Sequence, residues 1–176
     1  MYQPAAFAET RTEVLHDLIR TYPLGLLVSA GSQGLIADSI PFLVYPDEGE
    51  FGTLRAHFAR ANPHGPALRD VDECLVAFTG PQGYITPSWY AAKAEHGKVV
   101  PTWNYAAVHV WGKPRVIDDA AWLRRLVGDL TQSQEQGRTA PWAVEDAPAD
   151  FIDGMLRAIV GVEIPIRRIE GKFKMS

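Results

Sequence analysis

The sequence predicts a mainly β domain, an antiparallel barrel with α-helices at its periphery. Three observations predict it. Roughly six or seven apolar stretches read as strands, and most connections between them are too short for the crossover that a parallel pair needs. Helical periodicity is confined to the start of the chain, one short insert and a stretch near the end, instead of alternating with the strands. No G-x-G-x-x-G loop follows a strand, as a doubly wound nucleotide-binding sheet would require. At 176 residues, 47% of them hydrophobic and 22% charged, the chain suits a single domain with a real core and lacks the composition of a disordered one.

The elements follow from local signals. Thr10 and Glu13 have the spacing of a capping box, and Val14, Leu15, Leu18 and Ile19 continue as an apolar helical stripe. Pro23 ends that helix by pushing Tyr22 out of the helical region. L-G-L-L-V-S-A and L-I-A-D-S-I-P-F-L-V flank the turn G-S-Q-G and read as a hairpin. A polar, acidic turn at 46–52 leads to a third strand over 53–59. Asn62-Pro63 then starts a short helix, with Asn as cap and Pro in the first turn. Strands are expected over 73–79 and, after the Gly80-Pro81 break, over 83–86. Thr102 to Ile117 reads as one long strand, bent at Gly112. On it Trp103, Tyr105, Ala107, His109 and Trp111 share one face. Asp118 or Asp119 caps the longest helix, which runs to about Gln136, and Gly137 fits the position that ends it. A second helix starts near Pro148, and a last strand spans 159–169.

Composition excludes several function classes. The formal charge of -4 and the isolated basic cluster Arg167, Arg168, Lys172 and Lys174, interrupted by Glu170, do not make the basic face of a phosphate-gripping domain. Cys74 is the sole cysteine, so no internal disulfide or cysteine metal site can form, and its apolar setting C-L-V-A-F predicts a buried, inert thiol. The first residues lack the pattern of a signal peptide, and no apolar run of membrane-spanning length occurs, so a cytoplasmic protein without a membrane partner is expected. The five histidines are dispersed, with no H-E-x-x-H and no G-x-S-x-G elbow, which leaves metal and hydrolase chemistry without an anchor.

The chemistry concentrates between Pro87 and Gly112. Three of the five tryptophans (Trp89, Trp103, Trp111) and two of the six tyrosines (Tyr90, Tyr105) fall there, mixed with Ser88, Lys93, Lys98, Thr102, Asn104 and His109. Flat aromatic faces, ammonium groups and small hydrogen-bonding side chains suit a flat, anionic ligand. Taken one at a time, the aromatics of the long strand also suit barrel core or a dimer interface. A second candidate is T-L-R-A-H-F-A-R-A-N-P at 53–63, where a strand carrying arginines runs into a capped helix start.

Y-I-T-P-S-W-Y at 84–90, G-K-V-V-P-T-W-N-Y at 97–105 and A-H-F-A-R-A-N-P at 56–63 resemble the PaiB-type FMN-binding negative transcriptional regulators. P-L-G at 23–25, I-P-F at 40–42, A-P-W-A-V at 140–144, M-L-R-A-I-V-G at 155–161 and E-G-K-F-K at 170–174 extend the resemblance in the same order over almost the whole chain. The resemblance implies an antiparallel six-stranded split β-barrel, similar to that of pyridoxamine-phosphate oxidase, over residues 1–176 as one domain. It further implies a homodimer with FMN at the subunit interface and repression of genes such as those for protease production and sporulation. Carried over by motif, His57, Arg60 and Asn62 would lie near the FMN phosphate or ribityl chain. Ser88, Trp89, Tyr90 and Lys93 would form one wall, and Lys98, Thr102, Trp103 and Asn104 the other. Lys172 and Lys174 would close the site from the second subunit. Family members continue past K-x-K-x-S with a polar tail, whereas this sequence stops at Ser176.

Three functions compete. One is an FMN-binding regulator that responds to flavin or redox state; DNA binding by the domain itself is expected to be weak or absent, since no helix-turn-helix pattern occurs. Another is a flavin-dependent oxidoreductase, with a haem-binding or haem-degrading protein as a related option in which a histidine is the axial ligand. The third is an interaction module whose flavin site has decayed.

Overall fold

In the computed structural model, which describes residues 1–175, α1 spans Thr12–Thr21 and ends at Tyr22 as Pro23 dictates. Its start departs from expectation. Arg11 is the N-cap residue without a side-chain cap, because Glu9 takes both the Arg11 amide at 2.9 Å and its guanidinium, and the Thr10 capping box does not form. The strands are β1 (Ala8–Glu9), β2 (Leu24–Gly31), β3 (Gly34–Pro41), β4 (Leu43–Tyr45), β5 (Thr53–Ala59), β6 (Cys74–Ile85), β7 (Thr102–Gly112), β8 (Arg115–Ile117) and β9 (Ile159–Lys174). Four further helices are α2 (His64–Leu68), α3 (Ala92–Glu95), α4 (Ala120–Glu135) and α5 (Ala149–Arg157). Asp119 caps α4 by accepting from the Trp122 amide at 2.6 Å.

All pairings between strands are antiparallel, in the order β3-β2-β6-β7-β9-β5-β4, with β1 and β8 also on β9. Among the described residues the sheet therefore has nine strands rather than six and does not close on itself. Six of the nine are long; β1, β4 and β8 have two or three residues each, too few to display a period in sequence. Two boundaries also move. β6 runs straight through Gly80-Pro81, with the ladder shifting register between Thr79 and Gln82, so a bulge absorbs the proline that looked like a break. β9 continues past Ile169 to Lys174 along β7. The expected long strand from Thr102 divides at Gly112, where a Cβ would stand 2.3 Å from the Pro165 carbonyl oxygen; only glycine lets β7 and β9 approach so closely there.

The core lies inside this bent sheet. Leu27, Phe42, Leu54, Phe58, Val76, Phe78, Val108, Val110, Val162 and Ile164 fill it, and α1 seals it with Leu15 and Ile19. Phe42 and Phe78 meet edge to face with centroids 5.8 Å apart. A second, smaller cluster of Leu123, Val144, Ile152 and Leu156 joins α4 to α5. On β7 it is Ala106, Val108 and Val110 that face inward, so Tyr105, His109 and Trp111 point away from the core. Cross-strand partners share a face, so this outer side is continuous with Leu75 and Ala77 of β6, Leu26 and Val28 of β2 and Leu35 of β3. Leu24, Leu26 and Leu35 on it are exposed. Among the described residues no helix is long and apolar enough to cross a membrane.

Candidate functional site

The end of the β6–β7 pair gathers most of the residues singled out from sequence. β6 finishes at Ile85, and Thr86 Oγ1 accepts from the Ser88 amide, which turns the chain through a single 3-10 turn at Pro87–Trp89. After α3, Gly97 takes φ +64° and lets the chain swing back, while His96 Nδ1 accepts from the Lys98 amide at 3.1 Å. The chain then re-enters the sheet with Thr102 opposite Ile85 and Trp103 opposite Tyr84. Ser88, Trp89, Tyr90, Lys93, Lys98, Thr102, Trp103 and Asn104 thus belong to one strand–loop–strand excursion.

Aromatic faces are presented outward here. Trp89 is 70% and Trp103 50% exposed, and the Tyr84 and Trp103 rings lie 6.1 Å apart with the Trp103 Nε1 donating to Gln82 Oε1. Exposed indole faces such as these offer stacking surfaces to a flat ligand. The polar groups among them are cationic or neutral: Lys93 Nζ donates to Ser88 Oγ at 3.0 Å, and Lys174 Nζ donates to Thr102 Oγ1 and to the Trp103 carbonyl at 2.7 Å. Lys172 is only 9% exposed, its ammonium 5.3 Å from each of the Tyr2 and Tyr105 ring centroids. Between positions 84 and 105 the single carboxylate is Glu95. In kind, this donor set fits a flat aromatic anion: indole faces to stack on, ammonium groups for phosphate, hydroxyls for hydrogen bonds. A groove of about 400 Å³ opens beside it, between Phe7, Tyr90, Ala92, Val99, Val100, Thr102 and Lys174.

His57, Arg60 and Asn62 lie elsewhere. His57 pairs with Gly161 at one end of β9, whereas Tyr105 pairs with Lys174 at the other, so a single chain does not bring the two groups together. Arg60 is engaged: it grips both carboxylate oxygens of Asp118 at 2.7 Å and donates to the carbonyls of Arg157 and Ile159. Asn62 Oδ1 accepts from the His64 amide at 2.9 Å and so starts α2, the local role that its sequence context predicts. His57 Nδ1 is buried without a hydrogen-bond partner among the described residues, and burial pushes the pKa of the ring below its ordinary 6.5. The Trp122 ring roofs the neighbouring strand: a Cβ on Gly161 would stand 2.2 Å from it.

Sequence reasoning missed three features. Tyr84 and Gln82 belong to the aromatic end of β6–β7 through their contacts with Trp103, and the signal for Tyr84 was its place at the head of the 84–90 motif. Ser29, His64 and Asp38 form a hydrogen-bonded relay, 2.8 Å from Ser29 Oγ to His64 Nε2 and 2.7 Å from His64 Nδ1 to Asp38 Oδ2. No motif marks it, since β2, β3 and α2 each contribute one residue. Arg55 is likewise the centre of a network, donating to Glu163 at 2.9 Å and Glu48 at 2.8 Å with its guanidinium over the Tyr45 ring.

Residues 1–168 match the family model described as "Putative FMN-binding domain". The chain is 36% identical to a protein of Emericella nidulans, over all of this chain and 84% of that one. It is 28% identical to the protease synthase and sporulation protein PAI 2 of Bacillus subtilis, again over all of this chain and 82% of that protein. Among solved structures it is similar to the FAD- and haem-binding protein of Mycobacterium smegmatis, with a TM-score of 0.70 at 20% identity over 96% of this chain and 74% of that chain. That likeness is one of fold.

Proposed function

Since the chain belongs to the FMN-binding domain family, we propose that it is an FMN-binding regulator of the PaiB type that responds to flavin or redox state. The observation that carries this reading is the pair of exposed indoles, Trp89 and Trp103, set among Lys93, Lys98 and Lys174 at the end of β6–β7. In it the flavin ring rests on the indole faces. Lys93 and Lys98 neutralise the phosphate, and Ser88, Thr102 and Asn104 supply hydrogen bonds. FMN supplies the redox chemistry when bound; the chain binds it, orients it and limits its access to water.

The second half of the proposal is a homodimer formed through the outer face of β2, β3, β6 and β7. Leu24, Leu26 and Leu35 are exposed there and continuous with Leu75, Ala77 and Trp111, an apolar face that a second copy would cover. Lys172 and Tyr105 lie on the same face, next to Ala107, so the flavin would sit where two copies meet. His57, Arg60 and Asn62 of a second copy could approach that edge only if the dimer brings the far end of β9 to it. Regulation through direct DNA contact has less support: the net charge is -4, and Glu170 interrupts the basic run Arg167, Arg168, Lys172 and Lys174.

The test is a visible spectrum of the purified protein with FMN titration. Flavin bands and saturable binding are expected, with Lys98→Ala and Trp103→Ala each weakening FMN binding by ~1–3 kcal/mol. Unchanged affinity in both variants would move the site elsewhere. A flavin-dependent oxidoreductase is the second reading, favoured by the open groove beside the candidate flavin residues. NAD(P)H oxidation by FMN-loaded protein selects it, and its absence with a range of acceptors selects the regulator.

A further inference from the structure

The groove between Phe7, Tyr90, Ala92, Val99, Val100, Thr102 and Lys174 has a chemistry of its own. Its walls are mainly the aromatic residues Phe7 and Tyr90 and aliphatic side chains. Among the described residues, one charged group reaches it, the Lys174 ammonium, and the hydroxyls of Thr102 and Tyr90 are the other polar side-chain groups. Lys174 Nζ donates to Thr102 Oγ1 and to the Trp103 carbonyl, both neutral acceptors, with the Phe7 ring centroid 6.0 Å away. Among the described residues no carboxylate pairs with Lys174, in contrast to Lys113, which Asp72 holds at 2.7 Å. An ammonium beside apolar walls and without a counter-charge favours an anion whose remaining surface is apolar.

Size and polarity narrow the class. At about 400 Å³ the groove falls at the small end of ligand sites. FMN itself is a poor match: its phosphate carries nearly two charges and its ring has a polar edge that needs several donors, against one ammonium and two hydroxyls here. A single carboxylate on Lys174 and Thr102, with an aromatic or short aliphatic body along Val99, Val100 and Phe7, uses every group present. We propose that this groove binds a small monocarboxylate with an apolar body. The proposal rests on the FMN reading in one respect. Tyr90, Thr102 and Lys174 are shared with the candidate flavin residues, so the occupant would lie against the flavin and meet it as a substrate or effector.

Benzoate and its neutral counterpart benzamide are suitable probes, titrated by calorimetry into the full chain both without FMN and after FMN loading. Benzoate is expected to bind at least tenfold more tightly than benzamide in both forms, and to perturb the flavin bands of the loaded form without releasing FMN into the filtrate. Lys174→Met should remove that preference, leaving benzamide unchanged. Val100→Asp, at an exposed loop position, should weaken benzoate by a similar factor through charge repulsion without touching the barrel. Equal binding of the two probes, or no binding of either, overturns the proposal. Displacement of FMN by benzoate overturns it too, because the groove would then be the flavin seat. Failure of the chain to bind FMN would refute the functional reading alone, since the calorimetry without FMN still decides the groove.

Discussion

His64 Nε2 lies 2.8 Å from Ser29 Oγ, with the His64 ring 1% exposed and Ser29 3% exposed. With Asp38 on Nδ1, the atoms follow the order of a hydrolytic triad, but the hydroxyl is buried where no acyl group can reach it. The proton sits on Nδ1 when both partners are satisfied: Nδ1–H donates to Asp38 and Nε2 accepts from Ser29. The relay therefore ties α2 to the β2–β3 hairpin. His64→Leu strands a buried hydroxyl and a carboxylate and is expected to cost about 2–4 kcal/mol in urea unfolding. Ser29→Ala should cost less and leave p-nitrophenyl acetate turnover at background. A His64→Leu protein with an unmoved unfolding midpoint would deny the relay its structural part.

The outer face of the sheet can be tested without the flavin. Leu26→Arg places a guanidinium in the middle of the apolar face on β2, where nothing in the fold needs the leucine for its core. Light scattering after size exclusion is expected to give a dimer for the parent chain and a monomer for the variant, with thermal stability of the monomer little changed. A parent chain that is monomeric at micromolar concentration argues against the homodimer.

Glycine positions separate close packing from open space. Gly112→Ala puts a methyl group 2.3 Å from the Pro165 carbonyl oxygen and 2.6 Å from Ile164 Cγ2, and backbone cannot step aside cheaply. A loss of about 2–4 kcal/mol is expected. Gly128→Ala on α4 meets no atom within 4 Å and should gain about 0.5–1 kcal/mol from helix propensity. Paired denaturation curves check both; similar midpoints for the two variants would contradict the register of β7 against β9.

Burial of His57 sets a pH dependence. Its folded pKa lies below 6.5, so at pH values between the folded and unfolded pKa the unfolded chain binds more protons. The stability contributed by keeping the ring neutral is complete above the unfolded pKa and is lost as pH falls toward the folded one. His109, also depressed chiefly by burial, adds a slope of the same sign. His57→Phe should therefore lose less stability than the parent between about pH 7.5 and about pH 5, measured as melting temperature. Identical pH slopes would mean that His57 titrates freely in the folded protein.

What sequence revealed and what it hid divide along physical lines. Helix ends set by Pro23 and Asp119, the β2–β3 hairpin and the Asn62 cap were legible because each depends on neighbours within a few residues. The β6 bulge was not, because whether Gly80-Pro81 breaks a strand depends on what its neighbour β7 tolerates. Alternation on β7 was visible, yet alternation alone does not say which face turns inward; the structure shows that Ala106, Val108 and Val110 do, in the core that Leu15, Leu18 and Ile19 of α1 share. The candidate site was legible only as motifs, and the distance between motifs was not. His57 and Lys98 both belong to matching stretches, and only the path of β9 reveals that they sit toward opposite ends of the sheet.

β9 pairs with β1, β5, β7 and β8, and it follows all of them in the chain. During synthesis the ribosome therefore releases every one of those strands before their common neighbour exists. Until residues 159–174 have emerged, β5 and β7 hold unpaired edges and the Val108, Val110 and Leu54 side chains lack the Val162 and Ile164 surface that buries them. Closure is thus a late, non-local event of the kind that slows folding and exposes nascent chains to aggregation, and chaperone dependence should fall sharply once β9 is available.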